Sequence, residues 1–221
     1  CWGELFYTTN IDIIGLGLTT VESDIWWLLT HRASIYYTNY CNMRKYMKNQ
    51  ITYYDVIDLV EQIKAGLHPA IEKDASIDFF SYSIGSFLAE ILMMTNKDGY
   101  FSESKLCMFC GGAVFNRLSP VSKFILDSEA NVSLYSYVVE HLESHMRRDE
   151  LLRHYLSDAH PEGVNFRKML NYKCLTEPRE AVFNQMSKQI LAITLAKDTV
   201  VPAYEVINTL QGVKRNIPIK V

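Results

Sequence analysis

The sequence predicts an α/β fold, a mostly parallel sheet flanked by helices, and two observations carry that expectation. Short runs of consecutive bulky apolar residues, the pattern of strands buried on both faces, alternate along the chain with segments whose apolar residues recur at helical spacing. Glycines punctuate the junctions, at Gly15-Leu16-Gly17, Gly66, Gly85, Gly111-Gly112 and Gly212. A chain of 221 residues buries a full core, and one domain spanning residues 1–221 is expected.

Residues Tyr7 to Ile14 read as the first strand and Glu22 to Arg32, with Ile25, Trp26, Leu28 and Leu29, as the helix of a βα unit; Ser34 to Tyr40 reads as a short strand. The third glycine of a dinucleotide fingerprint would fall at Thr20, so no such site is expected. Thr52 caps a helix over 53–65, where Val56, Leu59, Val60 and Ile63 mark the buried face. Ile77 to Tyr82 is apolar enough for a central strand, and Phe87, Leu88, Ile91 and Leu92 then switch to helical spacing. Asn96 to Ser104 reads as a loop and Lys105 to Gly111 as the next strand, with Cys107 and Cys110 as core thiols and not a redox pair. The alternation then stops: residues 116–187 are mostly helical, broken at His160-Pro161-Glu162-Gly163. Strand Gln189–Ala196, helix Ala203–Leu210 and an edge strand from Asn216 complete the chain.

Bulk properties exclude several function classes. A net charge of -3 and a pI near 6.1, with no Lys/Arg run, give no general attraction to nucleic acid. Five cysteines, an odd number, do not form the disulfide framework of a small secreted domain, so a reducing, cytoplasmic setting is expected. No signal-peptide pattern opens the chain and no uncharged apolar run is long enough to span a membrane. Because it starts at Cys1 and stops at Val221, the domain is expected to be incomplete at both ends.

The strand-to-helix junction carries the chemistry. Ser81-Tyr82-Ser83-Ile84-Gly85 reads S-x-S-x-G, with small residues two before and two after Ser83, as a hairpin-tight elbow needs. This resembles the nucleophile elbow of α/β-hydrolases, usually G-x-S-x-G, with Ser81 departing from glycine. Lys197-Asp198-Thr199-Val200-Val201-Pro202 follows a strand and precedes a helix, and Asp198 matches the position of the triad acid in that superfamily. The chain as a whole also looks like members of an uncharacterised bacterial group of the superfamily.

The resemblance implies a serine hydrolase acting on an ester, thioester or amide of a small-molecule acyl substrate, with Ser83 and Asp198 catalytic and no metal or organic cofactor. It implies that residues 116–187 form a helical lid after the sixth strand. It implies an oxyanion hole from the backbone N–H of Ile84 and, from the early glycine turn, of Leu16. The catalytic histidine is missing: His31, His68, His141, His145, His154 and His160 all precede Asp198, so the base is expected after Val221. Alternatives are a lid histidine serving instead, or an inactive hydrolase-fold interaction module. A metal-dependent enzyme using His141 and His145, one helical turn apart, is a third class, although H-E-x-x-H is absent. Ser83 and Asp198 also admit plain roles as helix cap and turn residue.

Overall fold

The computed structural model describes residues 13–14, 53–121, 127–157, 159–212 and 215–221. Among them, five strands form one all-parallel sheet whose spatial order follows the chain: β1 (Ile13–Ile14), β2 (Asp78–Tyr82), β3 (Leu106–Phe109), β4 (Ile190–Ile193) and β5 (Ile219–Lys220). The α/β expectation with a parallel sheet is met. Most of the expected early strand, the helix over 22–32, the strand over 34–40, Thr52 and Leu16 lie outside the described residues. Two strands are shorter than their apolar runs. β3 stops at Phe109 because Cys110 takes φ +51°, outside the extended region.

The register divides the sheet into unequal faces. Phe79, Leu106 and Ile190 align, as do Ser81, Met108 and Ala192, and all six are buried. The alternate positions Phe80 and Tyr82 are 49% and 47% exposed. A sheet that adds strands in one direction by right-handed crossovers puts every crossover helix on the same side, so one face is covered and the other left more open.

Helix α1, residues 53–64, buries Val56, Ile57, Val60 and Ile63; Ile57 takes the place expected for Leu59, which is only partly buried. It ends at Gly66, φ +71°, where the Leu67 N–H reaches the Gln62 carbonyl as the left-handed C-cap motif requires. Helix α2 (Gly85–Thr95) follows β2 and is buried from Gly85 to Met94. Between β3 and β4 lie α3 (Ser128–Ser136), a π-helical turn (Tyr137–His141), α4 (Leu142–Arg148), α5 (Glu150–Tyr155), α6 (Pro161–Leu170) and α7 (Thr176–Gln185). Asp127 and Asp149 cap α3 and α5 by accepting backbone N–H groups, and Pro161 starts α6, so the expected break at 160–163 is a helix start. Helix α8 (Ala203–Leu210) has the expected bounds. Its last carbonyls are capped by Arg215, which also pairs with Glu180 of α7.

Buried polar contacts hold the helical stretch together, and an aromatic contact packs it on α2. Arg179, fully buried, donates to the carbonyls of Lys168 (2.8 Å), Cys174 (3.1 Å) and Tyr172 (2.7 Å), drawing the α6–α7 loop around one guanidinium. The Tyr172 ring lies 5.2 Å from the Arg179 guanidinium carbon and 4.7 Å from that of Arg117, close behind β3, and each cation meets the π face. Phe166 of α6 packs edge-on against Phe87 of α2, centroids 5.7 Å apart. No helix among the described residues is long and apolar enough to cross a membrane.

One buried group works against the fold. Glu90 on α2 is fully buried, neither carboxylate oxygen has a hydrogen-bond partner among the described residues, and burial pushes its carboxyl well above the usual range. A folded-state value above the unfolded one makes Glu90 increasingly destabilising as pH rises from the unfolded carboxylate range toward the folded value. Glu90→Gln should therefore raise stability to denaturant at pH 7–8 by about 1 kcal/mol or more, with the gain shrinking toward pH 4. Urea melts of both proteins across that range check it.

Candidate active site

The parallel register brings the C-terminal ends of β2, β3 and β4 to one edge of the sheet, and the residues just past those ends form the site. Ser83 follows β2 at φ +53°, a left-handed conformation rare for a residue with a Cβ. Its backbone is held on both sides: the Ser83 N–H donates to the Phe109 carbonyl (2.9 Å), and its carbonyl accepts the Ser86 N–H (3.0 Å). The helix N-cap is Ile84, without a side-chain cap. The plain role of Ser83 as a capping side chain is thus not what the structure contains, and its hydroxyl bonds no described residue.

Ser81, the departure from glycine, is accommodated by a partner. Its hydroxyl lies 3.0 Å from that of Ser86 in a buried pair, so each oxygen is satisfied. Gly111, just past β3, presses against the same turn: a Cβ there would lie 2.1 Å from Ser86 Oγ and 2.8 Å from the Ser83 carbonyl oxygen. The space under the elbow is therefore closed by the loop after β3.

Beside Ser83 is a small apolar depression formed with Ile84, Phe87, Ala113, Leu118, Val200 and Val201. The Ile84 N–H, at the helix N-terminus, has no partner among the described residues. Asp198 reaches the rim from the loop after β4. It is half-buried, and its Oδ1 accepts the N–H groups of Val200 and Val201, each at 2.9 Å, so it organises two residues that line the depression. This turn ends one residue short of α8, whose N-cap is Pro202; Asp198 is not its cap.

Cys110 was expected within a strand and instead occupies the left-handed turn after β3, buried, with the Asp198 carboxylate near its thiol. Burial, and next the Asp198 carboxylate, push this thiol up. Burial also raises Cys107, and no shared chemistry joins the two cysteines.

The described histidines have partners elsewhere. His145 Nδ1 lies 2.9 Å from Tyr137 Oη and its Nε2 3.6 Å from Asp149, whereas His141 Nε2 lies 3.8 Å from Glu140, so each ring has a different partner. His68 Nδ1 accepts the Ala70 N–H. His160 meets His154 and Glu162, near Tyr54 of α1. That group sits beside Thr95, the last residue of α2, through Tyr53 and Asn165, hence about 15 Å along the helix from Ser83. Sequence reasoning missed this cluster and the Cys110–Asp198 contact. The only local signal was His160-Pro161-Glu162, where proline at the first helical position turns His160 and Glu162 toward each other.

Fold and site together define an α/β protein with a serine on a strained strand-to-helix turn, at the carboxyl edge of a parallel sheet. The chain belongs to the DUF6051 family, a family of unknown function, whose match covers residues 38–221. No curated protein and no solved structure matches it.

Gly111→Ala should destabilise the protein by about 1–3 kcal/mol and loosen the turn at Ser83, measured by urea unfolding, because backbone must move to admit the methyl group. For Cys110, thiol-specific labelling across pH, in a background with Cys1, Cys41, Cys107 and Cys174 replaced by Ala, should be slow at neutrality. Asp198→Asn should move its onset to lower pH, since removing the carboxylate favours the thiolate.

Proposed function

We propose that this chain is the core of a serine hydrolase of the α/β-hydrolase type, cleaving an ester, thioester or amide through an acyl-serine intermediate. The observation that carries the reading is Ser83 itself. A serine held at φ +53° between a parallel strand and a helix, with its hydroxyl beside an apolar depression, is the arrangement a nucleophile elbow needs. A left-handed non-glycine residue costs about 1–3 kcal/mol, and such strain concentrates at functional sites.

In this mechanism Ser83 Oγ attacks the acyl carbonyl carbon and its proton passes to a general base. The oxyanion rests on the Ile84 N–H, where the helix N-terminus adds positive potential. The leaving group departs with the proton, and water then attacks the acyl-serine to release the acid and restore Ser83. Asp198 orients the base; its position past the carboxyl end of β4, one strand removed from β2, on the rim that Val200 and Val201 share with Ser83, supports this role. The base is a histidine brought to Asp198 from outside the described residues.

The lining favours a compact, uncharged acyl group, since Phe87, Ala113, Leu118, Val200 and Val201 offer no charge to a substrate. The 116–187 stretch acts as the lid that sets this preference. Supporting that role, Leu118 lines the depression and Phe166 packs on Phe87, another of its walls.

A fluorophosphonate probe applied to the full-length protein should label Ser83. Ser83→Ala should abolish labelling, and Asp198→Asn should slow it by about 100-fold or more. Absence of labelling in the folded wild-type protein, or its persistence in Ser83→Ala, would overturn the reading in favour of a binding module.

A further inference from the structure

A second polar centre lies at the opposite end of α2 and is independent of the hydrolase reading. His154 Nε2 and His160 Nε2 face each other at 3.1 Å, with the rings nearly perpendicular at 83°. Two imidazole nitrogens bound to one tetrahedral Zn2+ at 2.0–2.1 Å stand about 3.3 Å apart, so the observed separation is already close to that of a ligand pair. The other nitrogen of His160, Nδ1, lies 3.0 Å from Glu162 Oε1. With the Nδ1 proton donated to that carboxylate, the lone pair of His160 is on Nε2 and aimed at the gap. This is the carboxylate–histidine arrangement that fixes the ligating tautomer at metal centres.

The support behind His160 is built and not incidental. Glu162 is buried, and the same Oε1 accepts the Tyr54 Oη–H at 2.8 Å, which ties it to α1. Burial first, and then the hydrogen bond to Glu162, push the Tyr54 phenol up to about 12, so it remains a donor. In front, His154 is exposed and His160 half-buried, leaving the gap open to solvent.

We propose that His154 and His160 bind one transition-metal cation of the Zn2+ class, with Glu162 as the residue that holds His160 in its ligating tautomer. Without metal, His154 donates its Nε2 proton to His160; on binding, His154 carries that proton on Nδ1 and both Nε2 lone pairs reach the cation. Among the described residues, no group of three or more His, Cys, Asp and Glu gathers at one point, so water fills the remaining positions.

Calorimetric titration of the metal-free full-length protein with ZnCl2 tests this. One equivalent should bind, and His154→Ala, an exposed change that leaves the helix caps intact, should weaken binding at least tenfold. Glu162→Gln should weaken it about tenfold with an unchanged far-ultraviolet circular dichroism spectrum, while a His141→Ala/His145→Ala double variant should bind like wild type. No Zn2+ binding by the wild type, or equal binding by wild type and His154→Ala, would overturn the proposal and leave a histidine hydrogen bond alone.

Discussion

The structure around the proposed active site depends on one constraint: the chain must turn from β2 into α2 within two residues, and the residue at the bend must accept a left-handed backbone. Ser83 does so at φ +53° although it is not glycine. The conformation is paid for locally, by the bond from its N–H to Phe109, by the bond from Ser86 back to its carbonyl, and by burial of nearly all of α2 behind it. Gly111 belongs to the same constraint, because only a residue without a Cβ lets the loop after β3 approach so closely. The consequence is that a hydroxyl that would otherwise cap a helix is left without a described partner at the edge of an apolar depression.

The neighbouring strand ends then fall into place through the parallel register alone. β3 and β4 end level with β2, so Cys110 and Asp198 arrive on the same edge from different loops. Asp198 is held there by one oxygen that accepts two backbone N–H groups, with the Cys110 thiol nearby. Within the helical stretch, Arg179 and the Tyr172 ring, which meets two guanidinium groups, hold α6 and α7 together by hydrogen bonds to carbonyls and cation–π attraction.

Much of this was legible in the sequence, for physical reasons. The apolar run before Ser83 and the helical spacing after it marked the β2–α2 junction, and α8 followed from the amphipathic pattern bounded by Pro202 and Gly212. The end of β3 was not legible, because a cysteine in an apolar run gives no sign that it will adopt φ +51°. Nor was the meeting of Tyr54, Glu162, His160 and His154. It joins α1 to α6 across 108 residues between Tyr54 and Glu162, and no local periodicity reports a contact that only tertiary packing makes. Glu90 inverts the expectation that a charged residue on a helix faces water; the near-complete burial of α2 overrode it.

The central claim is that Ser83 presents its oxygen to a substrate and not to the protein. A crystal structure of the full-length protein after reaction with a small alkyl phosphonate ester tests it most directly. The account predicts a covalent bond from phosphorus to Ser83 Oγ, the phosphoryl oxygen within hydrogen-bond distance of the Ile84 N–H, and the alkyl group against Phe87 and Val200. An unmodified Ser83 with its hydroxyl turned into the core, or phosphorus bonded to another residue, would contradict it.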